Sequence, residues 1–181
     1  MKRAVIVVVV AIVFAGASVP AWAWGARTRV AVVSTAVRIV SKESGANLVK
    51  LEKDIRAGAA IAPSDLTELA PVAATDPVGA IESEMYLLQA VNAGRVDPYF
   101  AYRLGVLGML VAEASAPLAD SDPAIRDLYY ADVEGVIERI QLKPAKRIKV
   151  DPLTYFAEVR SDAAIRRDLI LTDYRTGIGF K

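Results

Sequence analysis

The sequence predicts an all-helical protein, and three observations carry that prediction. Four Asp-Pro dipeptides, Asp76-Pro77, Asp97-Pro98, Asp122-Pro123 and Asp151-Pro152, each stand just ahead of a helical pattern. Aspartate is a favoured N-cap because its carboxylate accepts the orphan N–H groups of the first turn. Proline suits the first helical position because its missing N–H is not needed there. No segment of the chain after residue 23 shows convincing strand alternation. Finally, residues 104–112 carry no charge; as a helix this stretch is apolar on every face and belongs in the middle of a bundle.

In chain order, Lys2 and Arg3 precede an unbroken apolar run over residues 4–17, followed by Pro20 and the triplet Ala21-Trp22-Ala23. A basic start, a short apolar segment and an Ala-x-Ala site predict a secretory signal peptide over residues 1–23. The run is short for a membrane span, and an uncleaved anchor is the alternative. The expected product begins at Trp24, is exported to the periplasm or beyond, and keeps no transmembrane anchor. Residues 24–181 then read as one helical domain. A first helix is expected over about 27–42, with Val30, Val33 and Val37 on one face. A second follows Gly45 over roughly 46–57, then a loop over 58–64 and a short helical turn over 65–69. The third long helix covers residues 77–93, with Ile81, Met85, Leu88 and Val91 inward and Gly94 to end it. The central helix covers 98–115. Residues 123–142 show the clearest amphipathic pattern, through Ile125, Leu128, Tyr129, Val133, Val136, Ile137 and Ile140. A basic loop over 143–149 reads as a solvated connection, with contact to anionic lipid headgroups as its functional alternative. The last helix starts at Pro152, with a break expected near Ser161. Residues 176–181 read as a tail whose abrupt stop suggests a longer protein cut short.

Composition removes several function classes. The chain is 54% hydrophobic and 24% charged, a globular balance. It has no cysteine, hence no disulfide framework and no lipobox. It has no histidine, which excludes a histidine general base, a Ser-His-Asp triad and any imidazole metal ligand. Cleavage after Ala23 removes two of the 22 basic residues and none of the 21 acidic ones, leaving a net charge of about −1. That balance gives no support to nucleic-acid binding. There is no Gly-rich phosphate loop.

Several short motifs follow one another in a familiar order. Trp24-Gly25 opens the mature chain and Thr28-Arg29 the first helix. The central stretch reads Leu104-Gly105, Val111-Ala112-Glu113 and Pro117-Leu118, and an amphipathic helix follows over 125–133. From about Trp24 to Ile140 the chain resembles the all-helical zinc-dependent phospholipase C proteins, relatives of the single-strand-specific zinc nucleases. The resemblance implies an orthogonal multi-helix bundle. In that family the N-terminal tryptophan binds metal through its amine and carbonyl. Thr-His, a central His-x-x-x-Asp, Pro-Leu-His and His-x-x-x-Glu complete a zinc cluster.

The frame matches and the ligands do not. Arg29 stands at the histidine of Thr-His, Met109 at the central histidine, Glu113 at the aspartate after it, and Ala119 at the histidine of Pro-Leu-His. Arg126 and Tyr130 stand at the His-x-x-x-Glu pair, and Pro63-Ser64-Asp65 approximates a Pro-Asp loop. Trp24, Asp65 and Glu113 are the relic metal candidates. Zinc takes roughly three or four protein ligands per ion, so an amine and two carboxylates fall short of a cluster, and two arginines add repulsion. No cofactor is expected, with zinc as the alternative. Losing the metals would strand carboxylates, so a cation should replace them. Arg29 is expected within hydrogen-bonding reach of Glu113, shared with Asp65, with Arg126 as a second cation and Met109 in the core. The sequence therefore reads as a phospholipase-C-like pseudoenzyme of the cell envelope, binding a lipid or an envelope protein. The rivals are a metal-dependent phosphoric ester hydrolase with a rebuilt carboxylate site, and a structural helical protein unrelated to that family.

Overall fold

All four Asp-Pro pairs begin helices in the computed structural model, which describes residues 24–44, 47–91, 96–141 and 149–179. The helices are α1 (Ala26–Ser44), α2 (Glu52–Ala59), α3 (Pro63–Leu69), α4 (Pro77–Val91), α5 (Pro98–Ala114), α6 (Pro123–Val136) and α7 (Pro152–Arg175). Single 3₁₀ turns precede α2 (Leu48–Leu51) and extend α6 (Ile137–Arg139). No strand occurs among the described residues, and the class is all-α. The signal-peptide reading, Gly45, Gly94 and all but the last residue of the 143–149 loop lie outside the described residues.

Each aspartate cap is made as its chemistry requires. Asp76 Oδ1 accepts the Gly79 N–H at 2.9 Å, Asp97 Oδ1 accepts Phe100 N–H at 2.8 Å, and Asp122 Oδ1 accepts Ala124 N–H at 2.8 Å. Asp151 Oδ2 takes both the N–H and the hydroxyl of Thr154, at 3.0 and 2.8 Å. α3 uses the same proline rule without the cap: extended Ala62 precedes Pro63.

Helix α5, whose middle carries no charge, packs against α1, α2, α4 and α7. On one side Val106, Met109 and Leu110 join Leu66 of α3 and Ile81 of α4, all fully buried. Each such side chain contributes about 1.5–3 kcal/mol. On the other side, Ala101 meets Val33 and Val37 of α1 and Ile55 of α2. A third cluster, Ala116, Leu118 and Tyr130, lies under Trp24, Tyr129 and Ile170.

Contact between α2 and α5 is backbone on backbone. A Cβ built on Gly58 would lie 2.0 Å from Tyr102 O, and one on Gly105 would lie 2.0 Å from Ile55 O. The two glycines face each other's helix and allow an approach no side chain permits.

Several expected boundaries move. The second helix begins as a 3₁₀ turn at Leu48 and runs to Ala59. The amphipathic helix stops at Val136, and two residues of its apolar pattern, Leu128 and Ile140, are exposed. α7 does not break at Ser161: the serine is on an exposed part of the helix, where its competition for backbone hydrogen bonds costs little. Part of the expected tail is the end of that helix. Gly177 N–H donates to Tyr174 O at 3.2 Å and Ile178 N–H to Asp173 O at 2.9 Å, while Gly177 takes φ +75°. That pair of bonds is a Schellman cap, and its left-handed residue suits glycine.

Candidate functional site

Trp24 and Tyr130 meet where the start of α1 lies against α6. Gly25 leads into α1, and the first turn leaves N–H groups without helical partners. Glu134 of α6 supplies one: its Oε1 accepts the Thr28 N–H at 2.7 Å. A carboxylate there also faces the positive end of the helix dipole. Gly25 makes room for it, since a Cβ would fall 2.2 Å from Glu134 Cδ. One turn out, Arg27 and Glu138 form an exposed ion pair at 2.9 Å.

Arg29 follows and is 5% exposed. Its Nη2 donates to Ile61 O at 3.4 Å, and Nε and Nη1 have no hydrogen-bond partner among the described residues. Burial pushes the guanidinium pKa down, while the charges of Glu113 and Glu134 push it back up. The hydrogen bond expected with Glu113 goes to a backbone carbonyl instead, and Glu113 acts on Arg29 only by charge. Asp65 takes no part. Leu66 is the α3 residue turned fully into the core, so its neighbour, about 100° round the helix, is exposed. Asp65 Oδ1 accepts from Ser64 Oγ at 3.1 Å.

Tyr130 is buried, and its hydroxyl oxygen accepts the Leu118 N–H at 3.2 Å. Burial raises its phenol pKa most; Leu118 N–H and Arg126 work against that shift, and Glu113 adds to it. Arg126 is itself nearly buried and donates from Nε to Asp127 Oδ1 at 3.0 Å. The charge of Glu113 thus acts on both Arg29 and Tyr130, and that of Arg126 on Tyr130. Trp24 packs on Tyr130 from outside, its ring 5.0 Å from Tyr130 edge-on and 6.2 Å from Tyr129. Tyr174 extends the aromatic cluster, 5.9 Å from Tyr129, and its hydroxyl donates to Asp132 Oδ2 at 2.6 Å. Met109 is fully buried in the apolar core.

Two cavities open on either side of Pro117. One, about 260 Å³, is lined by Glu113, Ala119, Asp120, Arg160 and Arg167. The other, about 290 Å³, is lined by Trp24, Tyr129, Asp162 and Arg166. Two of the positions matched to family ligands, Glu113 and Ala119, therefore share one recess, and Trp24 lines its neighbour.

The donors gathered here do not fit a zinc cluster. Among the described residues no three Asp, Glu, His or Cys side chains group as a ligand set. The buried group beside Glu113 is a guanidinium, which repels a cation and has no lone pair to offer.

A buried ion pair between α4 and α5 was not anticipated. Arg103 of α5 grips Glu84 of α4 with two bonds, Nε to Oε1 at 2.8 Å and Nη2 to Oε2. Both residues are buried. Burial raises the Glu84 pKa, and Arg103 offsets part of that rise. The clue was present: Arg103 is the last charge before the apolar run, as Glu113 is the first after it. Comparison with family models, with curated proteins and with solved structures returns no match.

Proposed function

We propose that this chain is a non-catalytic binding protein of the exported compartment, built on a phospholipase-C-like helical frame in which a fixed arginine charge replaces the metals. The observation that carries this reading is Arg29. It is 5% exposed on the first turns of α1, attracted to Glu113 and Glu134, at the position where the resembled family has a ligand. Arginine suits this role because it stays charged through any physiological pH. A hydrolase needs an activated nucleophile or a Lewis acid at such a site. Arg29, Tyr130 and Arg126 supply neither, since a guanidinium has no lone pair to offer and Tyr130 is buried with its pKa raised. What remains is a recess with fixed charges, which is the equipment of a binding site.

The test is turnover. The purified chain from Trp24 onward, incubated with zinc and then with phosphatidylcholine or bis(p-nitrophenyl) phosphate, should release product no faster than buffer with zinc. Zinc-dependent, saturable hydrolysis would replace this reading with that of a metal-dependent phosphoric ester hydrolase.

A further inference from the structure

The recess beside Glu113 is charged in an ordered way. Arg160 and Arg167 lie seven residues apart on α7, two turns along one face. The same recess is lined by Glu113, in the last turn of α5, and Asp120, in the turn after it. Alanines and prolines line the remainder, and no aromatic ring does. The recess thus gathers two guanidinium groups and two carboxylates among small apolar side chains.

One further observation favours a ligand. Arg167 Nε is buried at the atom level without a hydrogen-bond partner among the described residues; its ion pair, at 3.6 Å, is with Asp168 of its own helix, which does not line the recess.

Size and lining restrict the ligand. About 260 Å³ lies below the usual range for drug-sized ligands. A quaternary ammonium would call for an aromatic cage. A primary ammonium, which donates hydrogen bonds, suits paired carboxylates, and a carboxylate suits two planar guanidinium forks. Resting on the reading of a non-catalytic binding protein, we propose that this recess binds a small zwitterion of the amino-acid or dipeptide type, its carboxylate on Arg160 and Arg167 and its ammonium on Glu113 and Asp120.

Calorimetric titration with alanyl-alanine tests it, alongside the N-acetylated form, which lacks the ammonium, and the C-terminal amide, which lacks the carboxylate. The zwitterion should bind, and each blocked form should bind at least about tenfold more weakly, the worth of one charge-assisted hydrogen bond. Asp120→Asn and Arg160→Gln alter exposed residues; each should weaken binding about tenfold while leaving the melting temperature unchanged. No binding of alanyl-alanine, equal binding of all three forms, or binding of O-phosphoethanolamine in its place would each overturn the proposal. None of these results bears on hydrolysis, so the ligand assignment can fall while the non-catalytic reading stands. Zinc-dependent turnover would remove that reading whatever the dipeptide does.

Discussion

Gly105→Ala should destabilise the protein by about 3 kcal/mol or more, although alanine is the better helix former by about 1 kcal/mol. The added methyl would lie 2.0 Å from Ile55 O, with Ala59 N at 2.8 Å. Both obstacles are backbone of α2, so no rotamer change relieves the clash; the helices must separate. Separation would loosen contacts of Ile55, Ala59 and Ala101, all fully buried. Gly58→Ala should behave the same way, because its methyl would strike Tyr102 O from the other side. Gly135→Ala is the internal control. Nothing lies within 4 Å of its built Cβ, and it is an exposed glycine inside α6, so there the propensity gain should appear as roughly 0.5–1 kcal/mol of stabilisation. Urea denaturation of the three variants reads all of this. A neutral or stabilising Gly105→Ala would mean that α2 does not lie against α5.

The second large effect is expected at the buried ion pair. Arg103→Ala should cost about 3–5 kcal/mol, because it leaves the Glu84 carboxylate buried and uncompensated between α4 and α5. Removing both charges should cost much less. Arg103→Met combined with Glu84→Leu exchanges a desolvated pair for apolar packing, a replacement that is often neutral. The contrast between single and double variants, read from denaturation midpoints, separates a paired buried charge from two independent packing residues. Additive losses would show that the two side chains do not depend on each other.

How much of this was legible in the chain follows from what each signal depends on. The Asp-Pro starts were legible because capping is local: a carboxylate, a proline and three N–H groups within one turn decide it, and all four caps form. The central place of α5 was legible because a stretch without charge has no face to give to water. Helix ends were less legible. Gly177 could be read as a cap only once α7 was known to continue past Ser161. Side-chain partners from distant elements were not legible at all. Glu134 reaches Thr28 N–H across 106 residues, and Glu84 reaches Arg103 only because α4 packs on α5. The Gly58–Gly105 contact looks like nothing in sequence, since either glycine alone is a mildly unfavourable helix residue. At the site, motif order suggested Arg29, Glu113, Arg126 and Tyr130 as a cluster, but the partners their side chains take, Ile61 O for Arg29, Leu118 N–H for Tyr130 and Asp127 for Arg126, could not be anticipated. Nor could the placing of Asp65, because it depends on which residue of a single short helix turns inward.

The claim that a guanidinium charge occupies the place of metals is tested most directly by the melting temperature of the chain from Trp24 onward as zinc is titrated. A site filled at one hundred times its dissociation constant would stabilise the fold by about 2.7 kcal/mol, or roughly 5–10 °C for a chain of this length. With the Arg29 guanidinium buried and attracted by the charges of Glu113 and Glu134, the melting temperature should stay constant across the titration and with chelator. A saturable rise with zinc, reversed by chelator and lost in Glu113→Gln, would contradict the account.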